Sequence, residues 1–239
     1  MTYDAVFFDL YGTLVDILTD ESDPALWQKT AAYFSARGAA WEPSELRSAY
    51  DRETKRQETL LFAAHPEIDL APVFSELFRQ RGVQPDAKAV ADAAWFFRRT
   101  STKHIRLYSG AIELLDALRA KGKVILLSNA QRLFTVPELQ MLGLMDRFDA
   151  IYISSDCGCK KPDPAFFRRA LTDGKLNPKR CIMIGNDPFT DAAGAKGVGM
   201  DAYCIRSATS PKEAPMDAYD QKRMSLARVK RVLLRRIKA

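Results

Sequence analysis

The sequence predicts an α/β protein: a doubly wound, Rossmann-like parallel sheet with a helical cap inserted after its first strand. Three observations carry this. Short apolar runs stop repeatedly at polar or glycine-containing segments, helical patterns separate the later runs, and residues 17–107 show helical spacing only.

Strands buried on both faces of a parallel sheet read as near-continuous apolar runs, not as alternating ones. Ala5-Val6-Phe7-Phe8-Asp9-Leu10 is the first such run, and it stops at Tyr11-Gly12-Thr13. Val124-Ile125-Leu126-Leu127 ends at Ser128-Asn129, and Ala150-Ile151-Tyr152-Ile153 ends at Ser154-Ser155. Cys181-Ile182-Met183-Ile184 ends at Gly185-Asn186-Asp187, and Ala202-Tyr203-Cys204-Ile205 is the last. Between them, residues 110–121 place Ile112, Leu115 and Leu118 on one helical face, with Gly122 as a stop. Residues 164–173 carry Phe166, Phe167, Ala170 and Leu171 in the same manner. Strand–helix alternation implies a doubly wound sheet, whose ligands bind beyond the carboxyl ends of its strands. Asp9, Ser128 and Asp187 stand at three such ends.

The inserted stretch repeats aromatic and aliphatic residues at helical intervals: Trp27, Tyr33 and Phe34, then Leu46 and Tyr50, then Phe74, Leu77 and Phe78, then Ala93, Trp95, Phe96 and Phe97. No strand signal of comparable quality occurs there. The expected division is a core of residues 1–16 and 108–220, a helical cap of 17–107, and a basic C-terminal helix or tail of 221–239.

Composition excludes several classes. A chain of 239 residues with 47% apolar and 28% charged residues is globular and not disordered. No apolar run is long enough to cross a bilayer, and no basic segment precedes the first apolar run, so neither membrane insertion nor a secretory signal is expected. Cys157 and Cys159 are spaced too closely for the usual zinc half-site, and only two histidines exist. Four reduced thiols and a cytoplasmic location are the expectation. The net charge of +6 is concentrated in residues 222–239, which carry eight Lys or Arg and no acid. A solvated helix docked on the body, a membrane-surface helix and a nucleic-acid patch would all look like this. The docked helix is the simplest, and nucleic acid is not expected as a partner. A small-molecule substrate, and a monomer or homodimer, are.

The chemistry is carried by four segments. Asp9-Leu10-Tyr11-Gly12-Thr13-Leu14 places a carboxylate at a strand end before a glycine turn and a hydroxyl. Alone, it reads equally as an ordinary turn. Ser128-Asn129 adds a hydroxyl and an amide suited to an anion, with Gly12 and Thr13 as further contacts. Lys160-Lys161-Pro162-Asp163-Pro164 adds a cation before a helix, and Gly185-Asn186-Asp187-Pro188-Phe189-Thr190-Asp191 adds oxygen ligands. A nucleophile, an anion binder, a cation and an acidic patch then share one edge of the sheet. His65 and His104 are expected to be structural or exposed, and Trp95, Phe96 and Phe97 to be cap core.

In this order, the four segments resemble the four motifs of the haloacid dehalogenase-like (HAD) superfamily, along nearly the whole chain. The insertion resembles that superfamily's helical cap. The resemblance implies that Asp9 is a covalent nucleophile, that Ser128 binds the transferring group, and that Lys161 neutralises Asp9, with Lys160 a solvated neighbour. It further implies a magnesium site from the Asp9 carboxylate, the Tyr11 carbonyl, and Asn186, Asp187 and Asp191. The implied activity is a phosphomonoester phosphatase acting through an aspartyl-phosphate.

Two positions depart from that branch. Tyr11 stands where phosphatases carry a proton-donating aspartate, and Asn186 stands where they carry an acid. Tyr11 resembles instead the Asp-x-Tyr-Gly-Thr of L-2-haloacid dehalogenases, which attack carbon without a metal. The rest of that branch's pattern is poor: Glu42 follows Trp41 where an arginine neighbours tryptophan, Phe167 stands where a tyrosine is usual, and the Asp187-to-Asp191 spacing is phosphatase-like. A catalytically weak member that binds a phosphorylated ligand or a partner is the remaining expectation.

Overall fold

The computed structural model describes residues 2–237. Met1, Lys238 and Ala239, which belong to the expected core and basic tail, lie outside the described residues.

The elements in chain order are β1 (Ala5–Phe8), β2 (Val15–Thr19), α1 (Pro24–Ser35), α2 (Pro43–Glu58), α3 (Leu70–Arg79), α4 (Ala87–Ser101) and β3 (Thr102–Leu107). They continue with α5 (Ala111–Arg119), β4 (Lys123–Ser128), α6 (Arg132–Met141), β5 (Ala150–Ile153), α7 (Pro164–Gly174), β6 (Cys181–Gly185), α8 (Ala193–Gly197), β7 (Asp201–Cys204) and α9 (Leu226–Leu234). The main sheet is ordered β5-β4-β1-β6-β7, and each adjacent pair in it runs parallel.

β1 is central, and this explains its unbroken apolar run. Successive side chains of a strand point to opposite faces. Val6 and Phe8 join Leu126 and Ile184 in one core, against Leu114, Leu115 and Leu118 of α5 and Leu226, Val229 and Leu233 of α9. Ala5 and Phe7 join Ile125 and Met183 in the other, against Phe166, Phe167 and Leu171 of α7. Burying one such side chain is worth about 1.5–3 kcal/mol. Within the basic C-terminal stretch, residues 226–234 form α9, and its apolar stripe is part of this core.

The helices α1 to α4 bury a third core, in which Trp27, Phe34, Leu46, Tyr50, Phe74, Phe78 and Phe97 meet. Phe134, from α6, enters the same cluster. Of the three aromatics expected in it, only Phe97 is fully buried; Phe96 stacks on Tyr33 with centroids 4.3 Å apart, and Trp95 is half-buried.

The structure corrects one expectation. The stretch 17–107 is not wholly helical: β2 and β3 form an antiparallel ribbon at its two ends, pairing Val15 with Leu107 and Ile17 with Ile105. Both strands are half-exposed and carry polar residues, so neither shows an apolar run. His104 lies on this ribbon, exposed, 3.2 Å from Asp16, and His65 is exposed on a loop.

Candidate active site

Register brings the motifs together. Phe8 pairs with Leu126 on one side and Ile184 on the other, so Asp9 emerges between the ends of β4 and β6. Its amide is held by the Ile184 carbonyl at 2.9 Å. Lys161 reaches in from the loop before α7. Its Nζ lies 2.8 Å from Asp9 Oδ1 and 2.7 Å from Asp191 Oδ1, and all three side chains are buried. Burial alone pulls the Lys161 ammonium down, but Asp191 and Asp9 outweigh it, so the group is held above its usual range. Burial also pushes the Asp191 carboxyl up, against the pull of Lys161.

Backbone amides and glycines fix the remaining atoms. The amides of Asn186 and Asp187 donate to Asp191 Oδ2 at 3.1 and 3.0 Å. A Cβ on Gly185 would lie 2.1 Å from that oxygen, so only glycine admits the carboxylate there. Asp187 caps the π-helical turn Pro188–Ala192, accepting from the amides of Phe189 and Thr190. Gly12 has φ +84°, and a Cβ there would strike Thr209 Oγ1 at 2.1 Å and Asn186 Nδ2 at 2.4 Å. The Thr13 hydroxyl is 3.1 Å from Asp9 Oδ2 and 3.4 Å from Asn186 Oδ1.

Asp9, Tyr11, Asn129, Lys161, Asn186, Asp187 and Asp191 all line one hollow of about 220 Å³. Ser128 ends β4 beside it, with a buried hydroxyl that has no hydrogen-bond partner among the described residues. Two other expected contacts are otherwise engaged. Asn129 is bound on both sides of its amide to the Lys161 backbone, at 2.8 and 3.0 Å, so it positions the lysine. The Gly12 amide bonds the Val15 carbonyl at 2.7 Å.

Tyr11 departs furthest from expectation. Its hydroxyl turns to Glu138, to which it donates, and lies 3.1 Å from the Thr135 hydroxyl. Burial and then the Glu138 charge hold the phenol far above its ordinary value. Arg98, from α4, completes the group: its Nε lies 2.6 Å from Glu138 Oε1. Sequence reasoning missed Glu138, Thr135 and Arg98, and also Ser207 and Thr209, each 3.2 Å from Asn186 Nδ2. The last two follow β7, so the strand-end rule, extended to the fifth strand, could have found them.

A divalent-metal site can be tested on these atoms. No group of three or more His, Cys, Asp or Glu side chains is arranged to hold a metal among the described residues. Magnesium needs only one or two carboxylates, since it keeps several waters. Asp9 Oδ2 and Asn186 Oδ1 converge on the Thr13 hydroxyl, with Asp187 on the same wall. This all-oxygen set fits a water-rich magnesium site.

Among known proteins, the chain is 28% identical over 209 residues to a phosphoglycolate phosphatase of Nitrosospira multiformis, covering 84% of this chain and 82% of that one. Its fold matches a 2-haloacid dehalogenase from Pseudomonas syringae with a TM-score of 0.64 at 22% identity, covering 98% of this chain and 99% of the other. It also matches YfnB from Bacillus subtilis, solved bound to magnesium, with a TM-score of 0.57 at 17% identity over 98% of this chain and 100% of that one. The haloacid dehalogenase-like hydrolase family model matches residues 3–199, and with this buried Asp–Lys–Asp centre at the strand ends the chain belongs to that family of hydrolases.

Proposed function

We propose that the protein is a magnesium-dependent phosphomonoester phosphatase acting through an aspartyl-phosphate at Asp9. The observation that carries this is the charge balance of the hollow. Lys161 is a single cation between two buried carboxylates, with Asp187 a third on the wall. A phosphate ester brings further negative charge, which such a site accepts only with a divalent cation. Bound at Asp9, Asn186 and Asp187, magnesium would offset that charge and orient the ester.

The chain's own residues supply the rest. Thr13 and Lys161 fix the Asp9 carboxylate at its two oxygens, leaving it rigid for in-line attack on phosphorus. The new Asp9–phosphorus bond forms as the ester oxygen departs. The unpaired Ser128 hydroxyl is a donor available to the phosphoryl oxygens. Water then hydrolyses the acyl phosphate and restores Asp9. The phosphatase names among curated relatives support this reading, as does the spacing of Asp187 and Asp191. The free thiols of Cys157, Cys159, Cys181 and Cys204 support a reducing, cytoplasmic setting.

A second reading, dehalogenation of 2-haloacids through an aspartyl ester, has Tyr11 as its specific observation. One assay separates the two. Purified protein is given p-nitrophenyl phosphate with magnesium, and 2-chloropropionate without it. Phosphate release that stops on chelation is expected. Halide release that survives chelation would overturn the phosphatase reading.

A further inference from the structure

A second cavity, of about 360 Å³, opens between cap and core. It adjoins the catalytic hollow, because Tyr11 and Asn129 line both. An ester group attached to phosphorus at Asp9 therefore has this open cleft as its neighbouring space.

The charge of the cleft is lopsided. Glu21, Glu58 and Glu67 line it, and Arg98 is the one Lys or Arg among its lining residues. Arg98 is already neutralised by Glu138, 2.6 Å away and buried behind the wall. Burial pushes the Glu67 carboxyl up, although Lys160 and hydrogen bonds from Ser154 and Gln131 pull the other way. A cation docked beside such a carboxylate removes that cost, and an anion adds to it. Independently, the buried Thr54 hydroxyl lines the same cleft with no hydrogen-bond partner among the described residues, so it stands ready for a ligand's polar group.

We propose that this cleft receives the alcohol portion of the substrate as a cation. The preferred substrates are then phosphomonoesters of amine-bearing alcohols or phenols, and carboxylate-bearing esters are disfavoured. This rests on the phosphatase reading above. It sets the chain apart from the phosphoglycolate phosphatase it resembles, whose named substrate carries a carboxylate where this cleft presents glutamates.

The test uses three phenyl phosphates that differ only in a para aminomethyl, hydroxymethyl or carboxymethyl group, with p-nitrophenyl phosphate as control. Their phenols differ modestly in acidity in that same order, so the charge effect is read from how the span changes in the variant below, which leaves leaving-group acidity untouched. The full chain is assayed with magnesium. We expect kcat/KM to fall in that order, by about tenfold between the ends and mainly through KM, the scale of one partly desolvated charge contact. Glu58→Gln and Glu67→Gln, together, should compress that span to about threefold, each rate being read relative to the neutral hydroxymethyl ester in the same variant. If the carboxymethyl ester matches or beats the aminomethyl ester while p-nitrophenyl phosphate turns over, the cationic-substrate proposal is wrong and the phosphatase reading stands. If p-nitrophenyl phosphate itself is inert, both fall. A span that survives the double variant also overturns the proposal, because the glutamates would not be its source.

Discussion

The catalytic hollow and the cap cleft share two residues and are built on opposite electrostatic plans. In the hollow, Asp9, Lys161 and Asp191 form a closed set of buried charges, locked further by Thr13 and two backbone amides. In the cleft, three glutamates face one guanidinium that is already paired. The hollow is preorganised before any ligand arrives, which is what stabilising a transition state requires. The cleft is incomplete on its own and gains most from a ligand of the right charge. On the two proposals above, reaction type belongs to the strand ends and substrate choice to the cap.

Removing the proposed nucleophile should produce the largest effect. Asp9→Asn should lower phosphate release by about 10⁴-fold or more, because an amide cannot form the acyl phosphate. Circular dichroism should show the fold retained. Residual turnover near the wild-type rate would move the nucleophile elsewhere and dissolve the contrast between the two regions.

Lys161→Met tests the closed charge set itself. It leaves two buried carboxylates without their cation, and loss of one partner of a buried pair costs about 3–5 kcal/mol. Urea denaturation at neutral pH should show a loss of that size, with activity gone. Burial already pushes the Asp191 carboxyl up, and its protonation removes part of the uncompensated charge, so the deficit should shrink as pH falls. A deficit that does not depend on pH would mean that the lysine's aliphatic packing, not its charge, holds the centre.

Chain positions close in sequence were legible; those joined only by folding were not. Asp9, Ser128 and Asp187 each stand just past an apolar run, so strand ends alone located them, whereas Lys161 comes from the loop before α7 and carries no such mark. The β2–β3 ribbon gave no such sign. Its strands lie about 90 positions apart and carry polar residues such as Asp16 and the exposed Arg106, so only pairing with each other makes them strands. Glu138 reads in sequence as a polar residue of α6, yet it is 2% exposed and bridges Tyr11, 127 positions away, to Arg98, 40 positions away. The Thr54 hydroxyl, without a hydrogen-bond partner among the described residues, and the clustering of the cleft glutamates are likewise visible only in the folded chain.

The smallest expected effect concerns Tyr11, the residue that joins the two regions. At its position an acid would protonate the leaving group, worth about 10²–10⁴ in rate. The structure commits the phenol elsewhere, since it donates its hydrogen bond to Glu138, which also pairs with Arg98. Burial and the Glu138 charge raise the phenol above its ordinary value, so it stays neutral through the alkaline range. Tyr11→Phe should therefore lower stability by about 1.5–3 kcal/mol, the value of one hydrogen bond to a buried, ion-paired carboxylate. It should leave p-nitrophenyl phosphate turnover within about threefold of wild type, far below the effect of losing a catalytic acid. The alkaline limb of the pH–rate profile should not move, since no group titrating there is removed. Both proteins should show a steep rise in rate with leaving-group acidity, because neither supplies a proton. Tyr11→Asp, by contrast, places a carboxyl at the edge of both cavities and should raise alkyl phosphate turnover, by at most the roughly 10²–10⁴ that a positioned acid contributes. A shallow dependence in wild type that steepens in Tyr11→Phe would show the phenol acting as the acid after all, and the cap link through Glu138 would then be part of the chemistry and not only of the architecture.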